Sequence, residues 1–228
     1  MLTLGMVSVA SAEFAPVNKD DLKVGFVFIG DVSDKGYTYA HYQGLLDMQQ
    51  NLGLSDDQIL IKTNVSEDSS CETALRELVE AGCQIIFGNS YGYMNYMAEL
   101  ADEYPEVIFS HCSGYMSNDT NFNNYFGAIY QARYLAGIAA GLKTQTNKIG
   151  FVAAMQTPEV IGGFDAFALG VQSVNPDAVV YVKYTNSWYD ATLERQTADA
   201  LLDLGCDVIG QHCDTANPQI AAQERGVW

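Results

Sequence analysis

The sequence predicts an α/β protein built as two similar Rossmann-like, three-layer lobes, because the chain repeats itself. The stretch KVGFV at 23–27 returns as KIGFV at 148–152, and residues 78–86 return as 201–209. These offsets of 125 and 123 residues are too long for a solenoid, whose repeats run about 20–50 residues, so each copy is expected to be a whole domain. Small ligands are often enclosed between two domains. The repeat therefore favours a two-lobed binding protein.

Short runs rich in Val, Ile and Phe alternate with longer segments of helical period, which is typical of parallel strands covered by helices. In the first half we predict strands near 23–29, 58–63, 83–88 and 106–111, with helices near 36–52, 68–81, 92–103 and 124–142. In the second half we predict strands near 147–154, 177–184 and 207–211, with helices near 159–173, 190–204 and 216–225. Four glycines stand where helices should end and predict left-handed C-caps: Gly53, Gly82, Gly141 and Gly205.

The repeat also predicts the domain boundaries. We expect an N-terminal lobe at 22–143 and a C-terminal lobe at 146–228, with the crossover at 144–147. The segment 224–228 repeats the transition from helix through glycine to apolar residues that opens the other strands, so we expect a C-terminally incomplete fold. Residues 1–12 are apolar or small and end in Ala10-Ser11-Ala12, a site of the kind that signal peptidase cuts. They predict a partial signal peptide whose true start lies upstream, and therefore an exported protein.

Composition excludes several classes of function. The 11 basic and 28 acidic residues give a net charge of −17, which repels nucleic acid and anionic lipid surfaces; the acidity also simply favours solubility. No segment after residue 12 approaches the roughly 20 apolar residues of a membrane span. The five cysteines do not have the dense spacing of a disulfide scaffold. We expect them to be mostly buried as small apolar residues.

Ligands of open α/β sheets bind beyond the carboxyl ends of the strands, so the loops that follow the predicted strands indicate the function. The first loop, 30–41, has neither G-x-G-x-x-G nor G-K-[ST], and thus no nucleotide-phosphate motif. Instead, aromatic rings recur with amides, hydroxyls and carboxylates, a mixture that suits a flat, polar, uncharged ligand. Small polar residues are also common in turns and helix caps, so the large rings Tyr37 and Trp188 carry most of this inference. The other loops contribute Asn89, Ser90, Tyr115 and Glu159 as candidates.

An enzyme is the weaker hypothesis. His111-Cys112 and His212-Cys213 each end a predicted strand and could suggest a metal site or a thiol nucleophile. Neighbours on a strand point to opposite faces, so neither pair can present both side chains to one ion. The sequence contains no C-x-x-C, H-E-x-x-H or G-x-S-x-G. We therefore predict no catalytic residue, no metal and no cofactor.

Longer blocks carry a resemblance to a known family. Residues 34–44 (DKGYTYAHYQG), 125–137 (YFGAIYQARYLAG), 158–161, 167–170, 186–188 and 211–212 resemble, in one register, the motifs of the basic membrane protein family. These are exported substrate-binding proteins of ABC importers, similar to type I periplasmic binding proteins, and the characterised members bind purine nucleosides or bases. The resemblance implies a nucleoside or base as ligand, an ABC permease as partner and a periplasmic or cell-surface location.

By position, the resemblance implies that Tyr37 is the stacking aromatic, with Asp34 and Thr38 beside it. Asn121 falls in the family's conserved asparagine region, and Trp188 and Asp214 stand at cleft positions of the second lobe. We also expect a monomer. A pentose-binding protein of the same fold remains the alternative, because stacked rings and carboxylates also hold sugars. A transcriptional sensor is set aside, since about 20 residues precede the first predicted strand.

Overall fold

A computed structural model describes residues 14–228, and the predicted signal peptide lies outside this range. The strands are β1 (Val24–Val27), β2 (Ile59–Lys62), β3 (Ile85–Gly88), β4 (Ile108–Cys112), β5 (Phe122–Tyr125), β6 (Lys148–Ala153), β7 (Val179–Tyr184) and β8 (Val208–His212). The α-helices are α1 (Tyr37–Leu52), α2 (Ser69–Glu80), α3 (Met94–Glu103), α4 (Ile129–Lys143), α5 (Pro158–Val174), α6 (Ala191–Asp203) and α7 (Asn217–Glu224). None of the described helices is long and apolar enough to cross a membrane.

The strands form two separate parallel sheets rather than one. The first has the order β2-β1-β3-β4-β5 and the second has the order β7-β6-β8. The repeated stretches at 23–27 and 148–152 become β1 and β6, and each lies between the two strands that follow it in the chain. The predicted pair of α/β sheets is therefore confirmed, and the sequence repeat is a repeat of topology.

Residue contacts divide the chain into two compact units. The first comprises residues up to Ile29 and Gly44–Tyr125, and the second comprises Gly30–Gln43 and Phe126–Trp228. This division differs from the expected boundary at 143–146, because α4 packs against α5 in the second unit. The segment Gly30–Gln43, which includes the first turns of α1, also belongs to the second unit.

Two local predictions were wrong. Residues 122–125 form the edge strand β5, paired with β4, so the helix that we predict from about residue 124 begins only at Ile129. Gly53, Gly82 and Gly205 do adopt positive φ after helices, at 61°, 85° and 88°. Gly141, in contrast, lies inside α4, where a Cβ would be 2.9 Å from the backbone oxygen of Val171 on α5. Glycine at this position lets α4 and α5 pack closely and does not end the helix.

In the first unit, the core lies between the sheet and helices α2 and α3. Leu75, Ile86, Met97 and Phe109 are fully or almost fully buried there. Asp68 begins α2 by accepting a hydrogen bond from the N–H of Ser70 at 2.8 Å. This capping replaces a backbone partner that the first turn of a helix lacks.

In the second unit, apolar side chains cover both faces of the three-stranded sheet. Phe151 packs with Phe167 towards α4 and α5, whereas Val152 packs with Leu201 towards α6 and α7. Alternation along β6 thus supplies both layers. Helices α4 and α5 approach closely, since a Cβ at Gly137 would lie 2.0 Å from the backbone oxygen of Phe167.

Candidate functional site

The carboxyl ends of β6, β7 and β8 lie at one edge of the second sheet, because the three strands are parallel. Three predicted ligand residues follow these strands: Glu159 in the first turn of α5, Trp188 after β7 and Asp214 after β8. The predicted residues of the first loop lie in Gly30–Gln43, which belongs to the same unit. The second unit therefore contains six of the ten predicted residues: Asp34, Tyr37, Thr38, Glu159, Trp188 and Asp214.

The backbone of Asp214 connects the two predicted aromatic residues. Its N–H donates to the carbonyl oxygen of Trp188 at 3.0 Å, and its own carbonyl oxygen accepts from the N–H of Tyr37 at 3.4 Å. Gly36 permits this approach, because a Cβ there would lie 1.9 Å from the carbonyl oxygen of Asp214. The structure thus brings Tyr37, Trp188 and Asp214 together through main-chain contacts.

Asp34 shapes the turn that carries Tyr37. Its two carboxylate oxygens accept hydrogen bonds from three N–H groups at the start of α1, at 2.8, 2.8 and 2.9 Å. They therefore cap the helix, as short acidic side chains commonly do. Next to it, Thr38 is completely buried, and its hydroxyl has no hydrogen-bond partner among the described residues. The Tyr37 ring meets His41 edge to face, with 4.6 Å between the ring centroids.

Glu194, which the sequence analysis missed, holds two of these loops together. Its fully buried carboxylate accepts hydrogen bonds from the hydroxyl of Thr215 and, at 3.2 Å, from the N–H of Asp190. Asp190 in turn caps α6. Burial raises the pKa of Glu194. The sequence carries no signal for this role, since a glutamate on an amphipathic helix is ordinarily solvated.

His212 and Arg133 are not among the ten predicted ligand residues either. His212 ends β8, and its ring centroid lies 6.4 Å from that of Trp188. Burial, reinforced by the positive charge of Arg133, lowers the pKa of His212 to about 4, so the ring is neutral at pH 7. Burial also lowers the pKa of Arg133, on α4. An arginine on a predicted helix is usually solvated, and the only sequence signal for this one is its place in the motif block at 125–137.

Two predicted residues follow β3 in the first unit, and both are buried. The side-chain oxygen of Asn89 accepts the N–H of Ile29 at 2.9 Å. The hydroxyl of Ser90 donates to Glu67 at 2.6 Å, and its carbonyl oxygen lies 2.7 Å from Nε2 of His111. These contacts hold the carboxyl ends of β3 and β4 in place. Tyr115, after β4, is 72% exposed.

Asn121 lies at the other end of the first sheet. It precedes β5, and its side-chain amide donates to three carbonyl groups where α3 joins β4, at 2.8, 3.1 and 2.9 Å. Since β4 and β5 are parallel, this position is remote from the carboxyl ends of the strands. The structure therefore gives Asn121 a tethering role and does not bring it together with the other candidates.

The thiols do not show the environment of a nucleophile. All five cysteines are free, and four of them are buried. Burial raises the pKa of Cys213 and of Cys71, and raises that of Cys83 to about 11, whereas a reactive cysteine needs a lowered pKa. Across the part of the chain that the structure describes, no group of three His, Cys, Asp or Glu residues could hold a metal ion.

Comparison with known families decides the class. Residues 21–227 match the profile of the Bmp family, described as "ABC transporter substrate-binding protein PnrA-like". The chain belongs to the Bmp family. Members are substrate-binding proteins of ABC transporters, and the resemblance found in the sequence is confirmed.

Relatives in the family carry names that concern different ligands. The chain is 36% identical over 213 residues to a putative ABC transporter glucose-binding protein, TsgA13, of Haloferax volcanii, covering 93% of this chain and 54% of the relative. It is 36% identical over 209 residues to a purine-binding protein of Brucella abortus, covering 92% and 59%. A nucleoside-binding protein, BmpA, of Lactococcus lactis is 28% identical over 197 residues, covering 85% and 55%. The chain thus spans about half the length of these relatives.

A solved structure supports the fold. The ABC transporter solute-binding protein of Aeropyrum pernix K1 superposes with a TM-score of 0.80 at 23% identity, covering 90% of this chain and 60% of that one. At this identity the likeness concerns the fold alone. The fold is that of periplasmic solute-binding proteins, as expected.

Proposed function

We propose that this Bmp-family chain is an exported binding protein that delivers a purine nucleoside or base to the permease of an ABC importer. The observation that carries the proposal is the backbone of Asp214, which links Tyr37 and Trp188 at 3.4 and 3.0 Å. Two aromatic side chains joined in this way can offer ring faces to a flat base. We expect the protein to act as a monomer.

Relatives named for purine and nucleoside binding support this ligand class. The charge of the site supports an unphosphorylated form. Asp34, Glu159 and Asp214 are carboxylates, and the whole chain carries a net charge of −17. A phosphate group would meet repulsion here, so nucleotides should bind far more weakly than nucleosides.

Titration calorimetry on the intact protein with inosine, inosine monophosphate and ribose tests the proposal. Stacking of one base on an aromatic ring contributes about 1–3 kcal/mol, so Tyr37→Ala should weaken inosine binding roughly 5- to 150-fold. Tyr39→Ala is the matched control, because Tyr39 lies on the same helix and is 43% exposed. Equal loss of affinity in both variants would contradict a stacking role for Tyr37.

A sugar is the second candidate, and the name of the Haloferax relative favours it. Aromatic rings and carboxylates also hold pyranoses and pentoses. Glucose is therefore included in the titration. Tight binding of glucose or ribose that is insensitive to Tyr37→Ala would support the sugar, and turnover of a nucleoside would revive the enzyme hypothesis.

A further inference from the structure

Arg133 differs from the other arginines of the chain. Arg76, Arg195 and Arg225 each lie within 4.0 Å of two carboxylates. Arg133 has no such ion pair among the described residues, and its Nε is buried without a hydrogen-bond partner there. Arg133 is only partly buried, but its buried Nε–H leaves a hydrogen bond unmade, which is unfavourable, and none of the described acidic residues pairs with it. We take the missing partner to be a ligand group that accepts hydrogen bonds.

His212 lies at the same place in the second unit. A Cβ added at Gly163 on α5 would be 3.3 Å from Nδ1 of His212 and 3.9 Å from Cγ of Arg133, so the ring and the arginine stem flank one glycine. Nδ1 of His212 is also buried without a partner among the described residues. Two polar groups with unused hydrogen-bonding capacity therefore lie close together. Buried polar groups in folded proteins nearly always have a hydrogen-bond partner, so this pair calls for a partner from outside the described residues.

The position relates this pair to the proposed base site. The ring of His212 is 6.4 Å from that of Trp188, one of the two aromatics proposed to stack on the ligand. Arg133 also lines a pocket of about 450 Å³, and none of the residues that line this pocket is acidic. Neither Trp188 nor His212 lines this pocket, so the connection from Arg133 to Trp188 runs through the ring of His212.

We propose that Arg133, together with His212, binds the 6-oxo edge of the purine, so that the ligand is an oxopurine or its nucleoside rather than an adenine derivative. A guanidinium group only donates hydrogen bonds. Hypoxanthine and guanine present two acceptors, O6 and N7, on one edge, whereas adenine presents the N6 amino donor beside N7. This inference rests on the proposed function and specifies the ligand of the same site.

Inosine and adenosine form a matched pair for the test, because the sugar is identical and the bases differ at the 6-position. Their affinities are measured by titration calorimetry for the wild type, Arg133→Met and Arg133→Lys. Arg195→Met is the control, since Arg195 pairs with surface carboxylates. Circular dichroism checks the folding of each variant, and adenosine affinity reports the integrity of the rest of the site.

The wild type should bind inosine at least about tenfold more tightly than adenosine. A hydrogen bond to a charged donor corresponds to roughly 10- to 150-fold in affinity. Arg133→Met should lose this factor for inosine and change adenosine binding by less than about threefold. Arg133→Lys should fall between, and Arg195→Met should match the wild type.

Other outcomes separate the two proposals. Purine binding without a preference for inosine, or an equal loss of both nucleosides in Arg133→Met, would overturn the role of Arg133 while leaving the proposed function intact. Equal weakening of inosine binding by Arg133→Met and Arg195→Met would indicate a general effect of charge. This result would also overturn the proposed role of Arg133. Failure of the wild type to bind any purine would overturn the proposed function, and this inference with it.

Discussion

Gly36→Ala should weaken ligand binding about as much as removal of the Tyr37 ring. In the structure, a Cβ at Gly36 would lie 1.9 Å from the carbonyl oxygen of Asp214, whereas ordinary contact begins near 3.4 Å. The start of α1 and the loop after β8 would thus have to separate by about 1.5 Å, the difference between these two distances. The hydrogen bond from the N–H of Tyr37 to Asp214 is already 3.4 Å long and would be lost.

The expected loss of affinity follows from this displacement. A site whose groups are misplaced by about 1 Å no longer holds its ligand productively, so most of the stacking contribution of Tyr37, about 1–3 kcal/mol, should disappear. Inosine binding should therefore weaken roughly 5- to 150-fold. Overpacking should also lower the free energy of unfolding by about 1–3 kcal/mol.

Gly44→Ala provides the control on the same helix. Nothing lies within 4 Å of a Cβ at this exposed position, and alanine is the better helix former by about 1 kcal/mol. This variant should be slightly more stable and should bind like the wild type. Titration calorimetry and thermal unfolding of both variants decide the matter. If Gly36→Ala bound inosine within twofold of Gly44→Ala, the close approach of α1 to Asp214 would be irrelevant to the site.

Two further predictions concern stability. Gly137→Ala should lower the free energy of unfolding by about 1–3 kcal/mol or more, because the new methyl group would lie 2.0 Å from a backbone oxygen of α5. Gly162→Ala is the control and should not lower it, because nothing lies within 4 Å of a Cβ there. Equal melting points of the two variants would contradict this prediction. Burial raises the pKa of Glu194, because the ionised carboxylate is unfavourable in the folded state. The protonated side chain therefore stabilises the fold fully below the usual glutamate pKa. This stabilisation is lost as the pH rises through the raised pKa of the folded state. Glu194→Gln should therefore gain in melting temperature relative to the wild type between pH 4 and pH 8, and a difference independent of pH would refute this reasoning.

The sequence was sufficient to predict the paired sheets, because apolar runs of strand length recur at matching positions. It did not predict β5. The run Phe122-Asn123-Asn124-Tyr125 contains two asparagines, which are depleted in strands, and it becomes a strand only because it pairs with β4 at the sheet edge. Tertiary contact overrides local preference here.

Glycines and charged residues show the same limit. Gly141 and Gly205 both follow helical runs, and sequence cannot distinguish a glycine that ends a helix from one that lets two helices approach. Likewise, Arg133 and Glu194 have the sequence context of solvated helical residues. Their burial depends on which helices cover the sheet and from which side, and this is a property of the packed unit.

For the site, the sequence predicts aromatic ligand residues but not the backbone contacts that connect them. Tyr37 and Trp188 were identified as large rings in loops, and the structure connects them through Asp214. Asn121 was selected by its place in the family motif, yet its amide binds three backbone carbonyls at the far end of the first sheet. A position in a sequence motif does not by itself indicate at which end of a strand the side chain lies.

Tryptophan fluorescence tests the central claim, that a purine stacks at Trp188, most directly. The sequence of residues 1–228 contains two tryptophans, Trp188 and Trp228, so comparison of the wild type with the variants Trp188→Phe and Trp228→Phe identifies by difference the emission of the proposed stacking residue. Titration with inosine should produce saturable quenching with the same affinity as calorimetry, and ribose or glucose at equal concentration should leave the spectrum unchanged. Calorimetric binding of inosine without any change in Trp188 emission would contradict the account.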